Sequence, residues 1–193
     1  MAWIRIFLLF GLTLLLNACA SMPTQYLSLS AQGQPLPSQS LQKTQSVLVV
    51  DHVQMPASID RLYLTRGEGD SGMQVSGHVR WIAPLGGMAQ RVLAEDLRRH
   101  LPHLNVLIAG SPLPAHTQPL HLRVQVQEFL PTSSGKVILD VDYFLLNAGQ
   151  HLQYAGHFRH SVATNPSAQA QAQAMSESIA ALAQDIAQHL PGK

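Results

Sequence analysis

Among 193 residues there is one cysteine, Cys19, and its surroundings specify what its thiol does. It follows Leu16-Asn17-Ala18 at the end of an apolar run from Ile6 to Leu16, with one cation, Arg5, ahead of that run. A cation, a short apolar core and small residues before a cleavage point are the parts of an export signal. At 11 residues the run covers about half of a hydrocarbon core that needs ~20 helical residues, so it does not span the bilayer. The Leu-x-Ala-Cys ending makes the thiol the acceptor of a diacylglyceryl group, and the cleaved chain then begins at Cys19. With two or three acyl chains at ~0.8 kcal/mol per buried methylene, such an anchor is effectively permanent. Ala20 and Ser21 follow where an Asp would mark retention in the inner membrane. The expected location is the periplasmic face of the outer membrane, and the lipid on Cys19 is the only expected attached group.

Other reactive side chains give no comparable pattern. Gly69-Asp70-Ser71-Gly72 copies the segment around a chymotrypsin-like nucleophile, but the only upstream histidine, His52, leaves no room for the double barrel that assembles such a triad. The segment reads as a turn between strands. Ten histidines raise the question of a metal site. His157 and His160 would point to opposite faces of a strand, and His100 and His103 straddle Pro102. Asp140 and Asp142 share one strand face at about 7 Å, a spacing a glycosidase could use, on what reads as an ordinary wet face. No catalytic residue, metal site or cofactor is expected.

The elements that carry these residues are legible from their periods. Removal of residues 1–18 takes away Arg5, leaving 11 basic against 11 acidic side chains, and no basic cluster for nucleic acid. Charged residues are 12% of the chain, about half the usual share, and a lightly charged surface suits contact with other proteins. Residues 19–46 read as a lipid-anchored tether, rich in Gln, Ser and Pro, with one short strand at Tyr26-Leu27-Ser28-Leu29. Residues 47–193 read as a single domain. Val47 to Val53 fits a strand buried on both faces. Short strands are expected at Leu62–Thr65, Met73–Val75 and Leu104–Ala109, and half-wet strands at Leu120–Gln127, Val137–Leu145 and Leu152–Arg159. Asn147 to Gln150 reads as a hairpin connection. Leu85, Ala89, Val92, Leu93, Leu97 and Leu101 form the apolar stripe of a helix ended by Pro102. Met175, Ile179, Leu182, Ile186 and Leu190 form a second stripe, beyond a helix start placed at Asn165-Pro166. The expected fold is α+β: a mixed, mostly antiparallel sheet with two amphipathic helices packed on one face.

Two segments of this domain bear a likeness to a known family. Val53-Gln54-Met55-Pro56 followed by Ile59-Asp60-Arg61-Leu62, and Arg80-Trp81-Ile82-Ala83-Pro84-Leu85 leading to Arg91-Val92-Leu93, resemble the ABC-type transport auxiliary lipoproteins, the PqiC-like group. The position of Cys19 and the early Tyr26–Leu29 fit in order and spacing. This resemblance implies a non-catalytic subunit of an MCE-type intermembrane lipid-transport system. Its implied partners are a periplasmic MCE-domain protein, the inner-membrane permease complex and the outer membrane. Asp60 and Arg61 read as fixing a turn, and Trp81 with Pro84 as covering the helix start. The rival reading makes Arg61 and Trp81 a partner-binding patch, since Arg and Trp are favoured interface anchors. An outer-membrane assembly lipoprotein that partners a β-barrel, and a periplasmic protein that carries lipid in its own cavity, are the competing functions. An exposed edge strand would permit a homo-oligomeric ring.

Overall fold

The computed structural model describes residue 3 and residues 22–34, 46–69 and 71–190, so Cys19 and Asp70 lie outside the described residues. The chain runs β1 (Gln25–Leu27), β2 (Val47–Val50), β3 (Tyr63–Glu68), β4 (Gly72–Trp81), α1 (Leu85–His100), β5 (Asn105–Ile108), β6 (Leu120–Pro131), β7 (Lys136–Leu146), β8 (Leu152–Ala163) and α2 (Ala168–His189). The class is α+β, and the strands divide between two sheets. One has the order β5-β2-β6-β7-β8 and the other the order β1-β4-β3.

In the larger sheet β2 pairs in parallel with both β5 and β6, while β6, β7 and β8 form antiparallel ladders. All four residues of β2 are buried, as expected of a strand covered on both sides. The ladder from β6 to β7 carries a bulge between Val126 and Glu128. The extra residue resets the alternation, so Phe129, three positions after Val126, still points into the core. That is why the strand continues to Pro131, past the point where simple alternation stops at Gln127. At the far edge Leu152, which strand alternation would bury with Tyr154 and Phe158, is exposed, where the register with β7 shifts between Leu145 and Leu146.

Both apolar stripes face inward: Leu85, Ala89, Val92, Leu93 and Leu97 of α1, and Met175, Ile179, Leu182 and Ile186 of α2, are all buried. α1 lies over β5 and β2, and α2 over β6, β7 and β8. α2 begins two residues later than its sequence signal indicates. Ser167 is the N-cap, accepting a bond from the Ala170 N–H at 3.2 Å, and Asn165 instead accepts from the Ser167 N–H at 2.9 Å to form the turn before it. Arg98 of α1 donates from Nε to the Val106 carbonyl at 3.0 Å, which occupies backbone on β5, the outermost strand of the sheet.

The smaller sheet closes one end of the helix layer. β1 is parallel to β4, with Leu27 opposite Trp81, and β4 is antiparallel to β3. Arg66 of β3 donates from Nε to Gln171 of α2 at 2.8 Å. Beyond β1 the chain crosses both helices: the Ser30 N–H donates to Ser176 Oγ at 3.2 Å, and the Gln32 N–H to Asp96 Oδ1 at 2.9 Å. Leu27 and Leu29 are buried in the common core. Residues 25–32, placed in a tether by their composition, are therefore held by the domain.

Candidate functional site

The two segments that carried the sequence likeness meet at the start of α1. Pro56 turns the chain, its carbonyl accepting from the Ile59 and Asp60 N–H groups at 3.0 Å each. This buries Ile59 and aims Asp60 at the helix. Pro84, at the N-cap, makes no side-chain cap bond. Asp60 fills that role from outside the helix: its Oδ1 accepts the Gly86 N–H at 2.9 Å. A carboxylate there satisfies one of the open N–H groups and complements the positive end of the helix dipole. A side chain on Gly86 would meet the Val53 carbonyl at 3.1 Å, which explains a glycine inside the first turn.

Trp81 is 3% exposed and packs in the core, so it is not available as a partner anchor. Its inward position follows from strand alternation, which places Val79 and Trp81 inside and Arg80 outside, while its backbone N–H donates to the Leu62 carbonyl at 2.7 Å. Arg61 is exposed, and its Nε donates to the Ala57 carbonyl at 3.3 Å. The pair proposed from sequence is thus split between core and surface. The residue that replaces Trp81 on the outside is Arg80, whose guanidinium lies 4.5 Å from the centre of the Tyr63 ring. Tyr26 stands opposite Arg80 on the other side, 63% exposed, and Ile82, two residues on, is 59% exposed. The row Tyr26, Arg80, Tyr63 depends on strand pairing between residues 54 apart for Tyr26 and Arg80 and 17 apart for Tyr63 and Arg80, and the only sequence signal was the aromatic character of the flanking strands.

The two carboxylates weighed as a catalytic pair each have a basic partner. Asp140 pairs with Arg159, and Asp142 accepts from His157 Nδ1 at 3.0 Å, on the outer face of the larger sheet. Arg159 also approaches Glu128 at 3.7 Å. His160 stacks on Phe158 and His157 lies on the opposite face. Among the described residues, no group of three histidine or acidic side chains is placed to hold a metal ion. The Ser71 turn is the connection between β3 and β4, and Ser71 is exposed.

Two polar clusters, each centred on one buried side chain, have no signal in local sequence pattern. Tyr143, on the core face of β7, donates its hydroxyl to Asp185 at 2.7 Å and contacts His189 Nδ1 at 3.2 Å. Burial, and then the bond to Asp185, push the Tyr143 hydroxyl well above its ordinary pKa. Asp96 of α1 is buried, and Arg99 donates to it at 2.7 Å. Burial raises its pKa, against the opposing pull of the Gln32 N–H and Arg99. Both clusters fasten elements to one another.

The fold and the assembly at the helix start define a class of two-sheet α+β domain in which an N-terminal strand, a capping carboxylate and a buried tryptophan frame the first helix. The family model for the ABC-type transport auxiliary lipoprotein component matches residues 27–187, and the chain belongs to that family. It is thereby a lipoprotein accessory to a transport system, associated with a membrane. No curated protein matches significantly. Among solved structures, an uncharacterised protein is similar at 18% identity and a TM-score of 0.71, covering 86% of this chain and 98% of that one. A protein from Xanthomonas campestris is similar at 13% identity and a TM-score of 0.68, covering 85% and 93%. At these identities the likeness is one of fold.

Proposed function

We propose that this chain is a non-catalytic subunit, lipidated on Cys19 and held at the periplasmic face of the outer membrane, that docks the periplasmic MCE assembly of an intermembrane lipid-transport system. Membership of the transport auxiliary family supports the accessory role. One observation favours docking over carriage of lipid inside the domain. Among the described residues, the apolar cavity between sheet and helices, lined by Val53, Met55, Leu93, Phe129, Ile179 and Leu182, measures about 10 Å³. That is the room of about one water molecule, and an acyl chain does not fit it. The domain then works through its surface, and the lipid supplies its position.

The test is capture of the mature lipoprotein from envelope extract. Recovery of an MCE-domain protein together with its permease supports the reading. Recovery of a β-barrel without an MCE protein sinks it in favour of a barrel-assembly role.

A further inference from the structure

The route of the chain from Cys19 into the domain limits how the domain stands on a membrane. Leu27 and Leu29 are buried, and β1 begins at Gln25, so the span that separates lipid from domain ends there and not at residue 46. Tyr26 is seven residues beyond Cys19, and at ~3.3–3.6 Å per residue it lies within about 25 Å of the lipidated sulfur. Met22, 70% exposed, is closer still. The face of the smaller sheet that carries Tyr26 also presents Arg80 stacked on Tyr63, with Ile82 exposed beside them.

The composition of that face matches a bilayer interface. Tyrosine rings place an apolar body and a polar tip at headgroup level, and arginine extends its charge to the phosphates while its stem stays in apolar surroundings. Arg91, exposed, lines one groove with Ile82; Glu95 lines the same groove and is paired with Arg99 at 2.9 Å, and Arg61, two residues before Tyr63 in sequence, is exposed. Asp60, beside Arg61 in sequence, turns its carboxylate inward to Gly86. The balance is cationic, which suits anionic headgroups.

We infer that the outer face of the smaller sheet, Tyr26, Tyr63, Arg80 and Ile82, rests on the surface of the membrane that holds the lipid anchor. The inference rests on lipidation of Cys19. Because that thiol is consumed by the lipid, an introduced cysteine is the one free thiol to label. The experiment uses the full lipidated chain in vesicles of phosphatidylethanolamine and phosphatidylglycerol. An environment-sensitive dye is placed at Tyr26→Cys, Ile82→Cys or, on the exposed edge of the larger sheet, Gln153→Cys, with nitroxide-labelled lipid as quencher. An interfacial face sinks roughly 5–10 Å into the headgroup boundary, so quenching at 26 and 82 is expected to be at least about twofold that at 153. Equal quenching at all three sites, in protein that stays on the vesicles, overturns the inference. So does a dye at position 82 that ignores the lipid quencher but responds to added unlabelled chain or to an MCE-domain protein. Failure of the anchor itself is read separately, as the absence of acyl mass on Cys19.

Discussion

Gly156 sits in the middle of β8 because the Tyr143 ring occupies the place a side chain would take. A Cβ added there would lie 2.4 Å from the Tyr143 Cζ atom. Tyr143 cannot move aside, being fully buried and bonded to Asp185. Gly156→Ala should therefore destabilise the fold by about 1–3 kcal/mol, as overpacking of a closed core does, measured by chemical denaturation. A neutral result would mean that the ring has room the packing does not show. Asp96 gives a prediction in pH. A carboxyl whose pKa is raised in the folded state contributes its full stability below the ordinary value of 3.8, and that contribution is lost as pH rises through the raised value. Asp96→Asn keeps an acceptor for the Gln32 N–H and removes the titration. The variant should gain stability relative to the parent as pH rises from the carboxylate range toward neutrality. Parallel melting profiles across a pH series would refute this.

At the scale of elements, α1 depends on a loop distant in sequence for its start. Pro84 has no N–H and caps nothing with its side chain, so the Gly86 N–H relies on Asp60. Asp60→Ala should cost about 0.5–2 kcal/mol, the range for loss of an N-cap, and Asp60→Asn should restore most of it because an amide oxygen still accepts the bond. Equal losses in both variants would show that the charge matters rather than the bond. The stripes of α1 and α2 and the alternation in β6 to β8 were visible because burial against one neighbouring layer imposes a period. The extension of β6 to Pro131 was not, because a bulge breaks the period at one residue. The division into two sheets was not, because β1 and β4 pair across 51 intervening residues and local pattern carries no record of which strands meet.

For the whole molecule, membrane attachment is expected to rest on one atom. Cys19→Ser should move the protein from the membrane fraction to the soluble fraction while leaving its thermal unfolding unchanged, since the mutated residue precedes the packed segment. Among the described residues no helix is long and apolar enough to cross a membrane. A Cys19→Ser protein that stays in the outer membrane after washing would sink the lipid anchor. If the anchor holds, the reach of the domain is set by the few residues before β1. A spacer of ~28 residues extends up to about 100 Å, whereas ~6 residues extend about 20 Å, and so short a link orients the domain as well as retaining it.

The expected lipidation signal, the class of fold and the likeness to the transport auxiliary family are all legible in the chain alone, because each is written in local spacing. A cleavage motif, a helical stripe and a strand alternation are contiguous patterns, and chemistry or burial acts on them one neighbourhood at a time. Long-range packing makes Trp81 core and Arg80 surface, brings Asp60 to cap α1, and joins residues 25–32 to the domain rather than to its tether. Those outcomes depend on which distant segments compete for the same buried space. Leu27 and Leu29 sit in a polar stretch whose composition reads as flexible, yet their burial, the β1–β4 ladder and the bonds from Ser30 and Gln32 to the two helices act together to hold the segment.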